Sequence, residues 1–110
     1  MAPQGMKVAP VFNPVIHSPV RLRVCALMRK MPELEFSVIR DTLELTDAHL
    51  SKNLRVLSEV GLVTVRKERS PSRTDSRRLT WVALTDEGRS ALEAHLAALA
   101  EIAEGNPGSA

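Results

Sequence analysis

The amino-acid sequence predicts a mainly α-helical fold that carries one small β-hairpin. Capping residues stand directly before stretches in which apolar residues recur at three- and four-residue steps, the spacing of a buried helix face. Two runs rich in β-branched residues, 62–67 and 79–84, flank a segment of turn-forming residues. The chain has 110 residues, of which 44% are hydrophobic, so one domain with its own core is expected.

The first part of the chain predicts an arm, a helix and a short strand. Residues 1–12 are expected to form a flexible N-terminal arm. Ser18 followed by Pro19 is typical of a helix start, because serine caps free N–H groups and proline suits the first helical position. This helix is expected to run from residue 19 to about residue 30. Polar and apolar residues then alternate over 33–36, which predicts a short strand.

The next segment predicts two short helices joined by a tight turn. Ser37 is expected to cap a helix that ends near residue 43. Thr46 is expected to cap a second helix over 47–60, and Gly61 follows where a left-handed C-terminal residue is favoured. Two short helices in this order form a helix-turn-helix arrangement.

The rest of the chain predicts a hairpin, a long helix and a tail. The two β-branched runs are expected to pair as the strands of the hairpin. Thr85 precedes acidic residues, which favour the positive end of a helix dipole, and predicts a last helix over 85–104. Residues 105–110 are expected to form a disordered tail, so the folded domain is expected to span 13–104.

The composition excludes several classes of protein. Cys25 is the single cysteine, so an internal disulfide is impossible and a reducing, cytoplasmic location is expected. No apolar run approaches the roughly 18 residues of a membrane span, and no signal peptide is expected. One tryptophan and two phenylalanines are too few for stacking single-stranded nucleic acid. No paired nucleophile and base and no glycine-rich phosphate loop is evident, so neither an enzyme nor a cofactor is predicted.

The charge distribution is uneven although the net charge is only +2. Residues 66–78 hold six basic and two acidic side chains, whereas residues 86–104 hold five acidic side chains and one basic. A concentrated basic patch is the kind of surface that binds phosphates.

The second helix of the helix-turn-helix arrangement separates into two faces. Leu50, Leu54 and Leu57 share one narrow stripe, which is expected to face the core. The opposite face is small, polar and basic, and such a helix can enter a DNA major groove, where lysine and arginine pair with guanine. An ordinary solvated face is the alternative. The candidate DNA-reading residues are Thr46, Ala48, His49, Ser51, Lys52 and Arg55.

The hairpin favours the DNA interpretation. Its basic residues lie between serine, threonine and proline, so a flexible cationic loop is expected beside the helix. Such a loop can contact the phosphate backbone or reach into the minor groove. The candidate contacts are Lys67, Arg69, Arg73, Arg77 and Arg78.

Three stretches carry a resemblance to a known family: NPVIHSPVRLRVCAL (13–27), LEFSVIRDTLELTDAHLSKNLRVLSEVGLVTVRKE (34–68) and LTWVALTDEGRSAL (79–92). From residue 13 to about residue 99 the chain resembles small prokaryotic winged-helix transcriptional regulators related to the MarR and ArsR superfamilies. The resemblance implies a homodimer on a two-fold DNA site. It also implies that the helix after Thr46 is the recognition helix and that 67–78 form the wing. Asn53 stands where ArsR-like members often have histidine.

Metal and redox sensing find little support in the sequence. A zinc site needs three or four nitrogen or sulfur ligands. Glu93 and His95 on the last helix have no second histidine after them, and His95 is expected to lie on the helix surface. His17 is expected to cap or pack at the first helix. Cys25 is expected to be a buried or half-buried small hydrophobic residue, and no metal is predicted.

The last helix predicts self-association. Its apolar residues recur at steps of four, three and four, as in a short coiled-coil seam. The predicted interface consists of Leu92, Leu96, Leu99 and Ala103. The sequence therefore predicts a homodimeric, sequence-specific regulator of transcription that binds double-stranded DNA and acts as a repressor. A winged helix that binds only proteins is the alternative, and a ligand-gated sensor with an unknown small-molecule effector is a third interpretation.

Overall fold

The structure of the protein is a computed structural model that describes residues 8–69 and 78–105. Within these ranges four helices and three strands follow one another as α1 (Pro19–Leu27), β1 (Leu34–Glu35), α2 (Phe36–Thr42), α3 (Asp47–Glu59), β2 (Val63–Arg69), β3 (Arg78–Leu84) and α4 (Asp86–Ala103). The strands form one antiparallel sheet in which β3 lies between β1 and β2. The predicted fold class, mainly α with a small hairpin, is confirmed.

The two longest helices begin where the sequence predicts. The Thr46 hydroxyl accepts a hydrogen bond from the His49 backbone N–H (3.0 Å), and the Thr85 hydroxyl accepts one from Gly88 (2.8 Å). Each bond satisfies an N–H group that has no partner within its helix.

Two helix boundaries differ from the prediction. α2 begins at Phe36 directly after strand β1, with the extended Glu35 rather than Ser37 at its cap position. α1 ends at Leu27, because the backbone N–H groups of Met28 and Arg29 donate to the carbonyls three residues earlier, at 3.1 and 3.2 Å. Such bonds tighten the last turn and end the α-helix before the proline is reached.

The turn between α2 and α3 is closed by two backbone bonds. Leu45 N–H donates to the Arg40 carbonyl (2.9 Å) and Glu44 N–H donates to the Asp41 carbonyl (3.3 Å). Glu44 takes the left-handed conformation that this motif requires, with φ of 56°. The end of α3 repeats the motif with a glycine, since Gly61 has φ of 78°.

The core lies between the helices and one face of the sheet. The predicted inward stripe of α3 is confirmed, since Leu50, Leu54 and Leu57 are all buried. The other buried core residues are Ile16, Val24, Cys25, Met28, Ile39, Leu62, Val63, Val82, Leu84 and Leu92. This packing fixes which side of α3 is turned to solvent.

The start of α4 is packed tightly on the turn that follows α3. Thr85 N–H donates to the Leu62 carbonyl (3.0 Å), and the Thr85 hydroxyl donates to the Gly61 carbonyl (2.6 Å). A methyl group on Gly88 would lie only 1.9 Å from the Leu62 carbonyl oxygen. Glycine at 88 therefore permits a backbone contact that sets the position of α4.

The described part of the N-terminal arm runs along α4. Val11 N–H donates to the Ala94 carbonyl (3.0 Å), and the Phe12 ring packs against His95. Residues 11 and 12 are thus held on the domain, in contrast to the expectation of a loose arm up to residue 12. Residues 1–7 of the arm and 106–110 of the tail lie outside the described residues. None of the helices that the structure describes is both long and apolar enough to span a membrane.

Candidate nucleic-acid interface

The outward face of α3 is built from the residues that the sequence singles out. Thr46, Ala48, His49, Ser51, Lys52 and Arg55 are all exposed. In the described part of the chain, neither Lys52 nor Arg55 forms an ion pair with an acidic side chain. The face therefore offers free donors on a helix whose opposite side is anchored in the core.

The N-terminus of α3 is held by an ion-pair cluster. Arg40 of α2 donates to the carboxylates of Asp41 and Asp47, both at 2.8 Å. The hydrogen bond from Arg40 holds the pKa of Asp41 below its ordinary value. Asp47 is the first residue of α3, so its negative charge is compensated at the end of the helix that is expected to approach DNA.

A cleft separates the outward face of α3 from the hairpin. It has a volume of about 450 Å³ and is lined by α3 residues on one side and strand residues on the other. Arg55 and Ser51 line the helix wall, while Lys67 and Thr80 line the sheet wall. The structure thus brings together a cation from the predicted recognition helix and one from the predicted wing.

Residues 20–103 match the family model of the winged helix DNA-binding domain. The chain belongs to this family. An uncharacterized protein of Methanocaldococcus jannaschii is 30% identical over 82 residues, which are 74% of this chain and 85% of that protein.

Solved structures agree with this assignment. A transcriptional regulator homologue from Pyrococcus horikoshii is 30% identical, with a TM-score of 0.73 over 83% of this chain and 86% of that one. A MarR-family transcriptional regulator from Silicibacter pomeroyi shares the fold at 24% identity, with a TM-score of 0.55 over 81% of this chain and 58% of that one. The resemblance to winged-helix regulators is confirmed, and this is a family of DNA-binding proteins rather than of enzymes.

The predicted wing is described in part. Lys67 and Arg69 are exposed on β2. Arg66, their neighbour, instead pairs with Glu33 and Glu68, so one of the six basic residues of the patch is compensated. Arg78 is described by its backbone alone, and Arg73 and Arg77 lie outside the described residues.

Sequence reasoning missed a buried polar residue on α3, the predicted recognition helix. Asn53 is only 6% exposed, and its side-chain oxygen accepts a hydrogen bond from Arg21 of α1 (2.9 Å). Its amide group donates to the His49 carbonyl (2.9 Å). The spacing could have indicated this burial, because Asn53 lies three residues after Leu50 and so shares its side of the helix.

The expectation that His95 lies on the surface is wrong. His95 has no exposed surface, and its Nδ1 accepts a hydrogen bond from Asn13 N–H at 2.9 Å. Its Nε2 lies 3.3 Å from Nδ1 of His17, which therefore packs against α4. Burial, and secondly His17, lower the pKa of His95 from its ordinary value of 6.5. His95 lies three residues after Leu92 and three before Ala98, which are both buried, so it falls on the buried stripe of α4.

The predicted interface on α4 divides into core and surface. Leu92 has no exposed surface and belongs to the core of its own chain, so its assignment to a dimer interface is corrected. Leu96 and Leu99 are half-buried, and Ala103 is exposed. Ile102, which was not singled out, is 52% exposed.

Cys25 is a buried core residue, as expected. Burial raises the pKa of its thiol to about 11, and Arg21 acts in the opposite direction. The thiol is therefore protonated at neutral pH. Among the described residues no three or more histidine, cysteine, aspartate or glutamate side chains are grouped as metal ligands.

Proposed function

We propose that the protein is a homodimer that binds a specific site in double-stranded DNA and represses transcription by occupying it. In this proposal α3 is the recognition helix in the major groove. The β2–β3 hairpin is the wing and contacts phosphates or the minor groove. A regulator of this kind acts where the genome is, so we place it in the cytoplasm.

The outward face of α3 carries the proposal. Ser51, Lys52 and Arg55 are exposed, and within the described ranges the two cations are unpaired with acids. Arginine and lysine donate to the acceptor atoms of guanine, and serine suits several bases. Leucines on the other side pack in the core, so this face is turned to solvent.

The cleft supports the role of the wing. Lys67 and Arg55 line the same cleft. If α3 enters the major groove of a duplex, the phosphates beside that groove would therefore lie near a cation on the sheet. Phosphate contacts of this type position a protein on the duplex without selecting sequence. Lys67 and Arg69 are therefore proposed to supply affinity, and α3 to supply specificity.

The apolar strip of α4 and the arm supports the homodimer. A groove of about 490 Å³ runs between them, lined by Val8 and Pro10 on one side and by Leu96, Ala97 and Ala100 on the other, and Glu93, Glu101 and Glu104 of α4 line it as well. Leu99, Ile102 and Ala103 lie further along α4, and Ile102 and Ala103 are exposed. The proposed interface is Leu96, Leu99, Ile102 and Ala103, without Leu92.

The test is selection of bound fragments from a pool of random duplexes, followed by titration of the enriched duplex at several salt concentrations. We expect enrichment of one sequence with two related half-sites. Lys67→Ala should weaken binding to enriched and scrambled duplexes equally and reduce the salt slope by roughly one.

Arg66→Ala is the matched control, because it removes the same charge from the same strand at a residue already paired with acids. It should leave the salt slope unchanged. A pool without enrichment, together with no salt-dependent binding to any duplex, would contradict the proposal and favour a protein-binding winged helix.

A further inference from the structure

Arg21 joins three parts of the molecule through hydrogen bonds. It lies on α1 and is half-buried. Its Nε donates to the Val15 carbonyl at 2.6 Å, and its Nη1 donates to the Asn53 side-chain oxygen at 2.9 Å. One guanidinium group therefore ties the recognition helix to the turn that precedes α1.

The α3 end of this bridge is fully oriented. Asn53 accepts from Arg21 through its oxygen and donates to the His49 carbonyl through its nitrogen. Both halves of the amide are used, which specifies a single orientation of the side chain. The His49 carbonyl lies one turn before Asn53 in the same helix, so this second bond fixes the amide that Arg21 reaches.

The other end of the bridge is equally fixed. The Asn13 side-chain oxygen accepts from the backbone N–H groups of Val15 and Ile16, at 2.9 and 3.0 Å. Asn13 N–H in turn donates to His95 of α4. A continuous series of hydrogen bonds thus runs from α4 through the N-terminal turn and Arg21 to α3.

The bridge adds directional constraints to the apolar packing that holds α3. The leucine stripe of α3 meets the core through contacts that have no preferred direction. A guanidinium is a rigid planar fork whose donors demand fixed directions. The bonds to Val15 and Asn53 therefore oppose rotation of α3 about its own axis, the motion that would turn Ser51, Lys52 and Arg55 away from their bases.

We propose that Arg21 is a positioning residue for DNA reading: through Asn53 it sets the rotation of the recognition helix relative to α1 and the N-terminal turn. This inference rests on the proposed function. Arg21 itself contacts no base in this scheme. Its loss is expected to reduce sequence discrimination while leaving sequence-independent binding in place.

The binding test compares Arg21→Met with Arg23→Met. Arg23 is exposed on the same helix, so its replacement removes the same charge without breaking the bridge. Arg21→Met should lower the preference for the selected duplex over a scrambled one by about tenfold or more, the effect of a lost base contact. Affinity for the scrambled duplex should stay within about twofold, and Arg23→Met should change neither value.

Arg21→Lys separates charge from geometry and also serves if Arg21→Met fails to fold. Lysine keeps the charge but has no fork that can reach both acceptors. We expect its affinity for scrambled duplex to match the parent and its discrimination to fall as in Arg21→Met. Full discrimination in Arg21→Lys would overturn the proposal, because a merely local charge would then be sufficient.

A second measurement needs no DNA. Residual dipolar couplings of backbone amides report the orientation of α3 relative to α1 and α4 in the free protein. Arg21→Met, or Arg21→Lys in its place, should change the α3 couplings, and Arg23→Met should not. Unchanged α3 couplings would overturn the proposal, and so would changed couplings with intact discrimination. If the parent prefers no duplex, the proposed function fails, and the couplings alone decide whether Arg21 positions α3.

Discussion

α3 and α4 are built alike on the inside. A threonine caps each helix through the N–H three residues later, and each buries a stripe of apolar residues against the core. Each stripe also contains one buried polar residue with a partner from an earlier part of the chain. Asn53 accepts a hydrogen bond from Arg21 of α1, and His95 accepts one from the backbone of Asn13.

The two helices differ in the residues that they expose to solvent. α3 presents Ser51, Lys52 and Arg55, whereas α4 presents Leu99 and Ile102 in a region rich in acids. A basic polar face favours phosphates and base edges, and an apolar face beside acids favours another protein surface and repels DNA. The inner stripes therefore account for the fold, and the difference between the outer faces indicates the separate roles of the two helices.

The largest effect is expected where α4 packs on the turn that follows α3. By helix propensity alone, Gly88→Ala should stabilise the chain by about 0.5–1 kcal/mol. The added methyl group would instead lie 1.9 Å from the Leu62 carbonyl oxygen, so we expect a loss of about 3 kcal/mol in the free energy of unfolding, the upper end of the usual cost of overpacking. Chemical denaturation measures it, with the exposed Ser90→Ala as control. A stabilised Gly88→Ala would show that α4 is not fixed by this contact.

A glutamate introduced at an exposed apolar position should weaken dimerisation on α4 but not at the end of α3. Ile102 of α4 and Val60 at the end of α3 are 52% and 51% exposed. We expect Ile102→Glu and Leu99→Glu to weaken dimerisation by roughly 2 kcal/mol or more, because a charge would be buried in the interface. Sedimentation velocity should show that Val60→Glu remains dimeric. A monomeric parent would contradict the assignment of α4 to self-association.

The two helices also carry one histidine each, and only that of α4 is buried. Because burial and His17 lower the pKa of His95, the unfolded chain binds its proton more readily than the folded chain. The free energy of unfolding is therefore at its full value above pH 6.5. It decreases as the pH falls below that value, because the unfolded chain takes up the His95 proton first. His95→Gln should flatten the decline in melting temperature between pH 7.5 and 5.5. The exposed His49→Gln should keep the parent's slope, and an equal flattening in both variants would refute the assignment.

Local signals explain which parts of the fold were predictable. The threonine caps, the leucine stripe of α3 and the glycine after it lie within a few residues of the helices they define. The outward face of α3 followed from that stripe by geometry. These features need no knowledge of the rest of the chain.

Long-range partners explain what was not predicted. His95 binds Asn13, 82 positions earlier, and Asn53 binds Arg21, 32 positions earlier. Periodicity counts apolar residues, so it overlooks a polar residue whose partner comes from another element. Leu92 shows a related limit, because a heptad-like step is the same whether the residue packs in its own core or against a second chain.

The most direct test of the account replaces Lys52 or Arg55 of α3 by alanine and titrates each variant with the selected and the scrambled duplex. Both residues are exposed, so melting should show a free energy of unfolding within about 0.5 kcal/mol of the parent. Preference for the selected duplex should fall by about 1–3 kcal/mol, while Lys30→Ala, an exposed cation outside α3, should keep it. Variants that melt normally and discriminate as well as the parent would contradict the claim that this helix reads DNA.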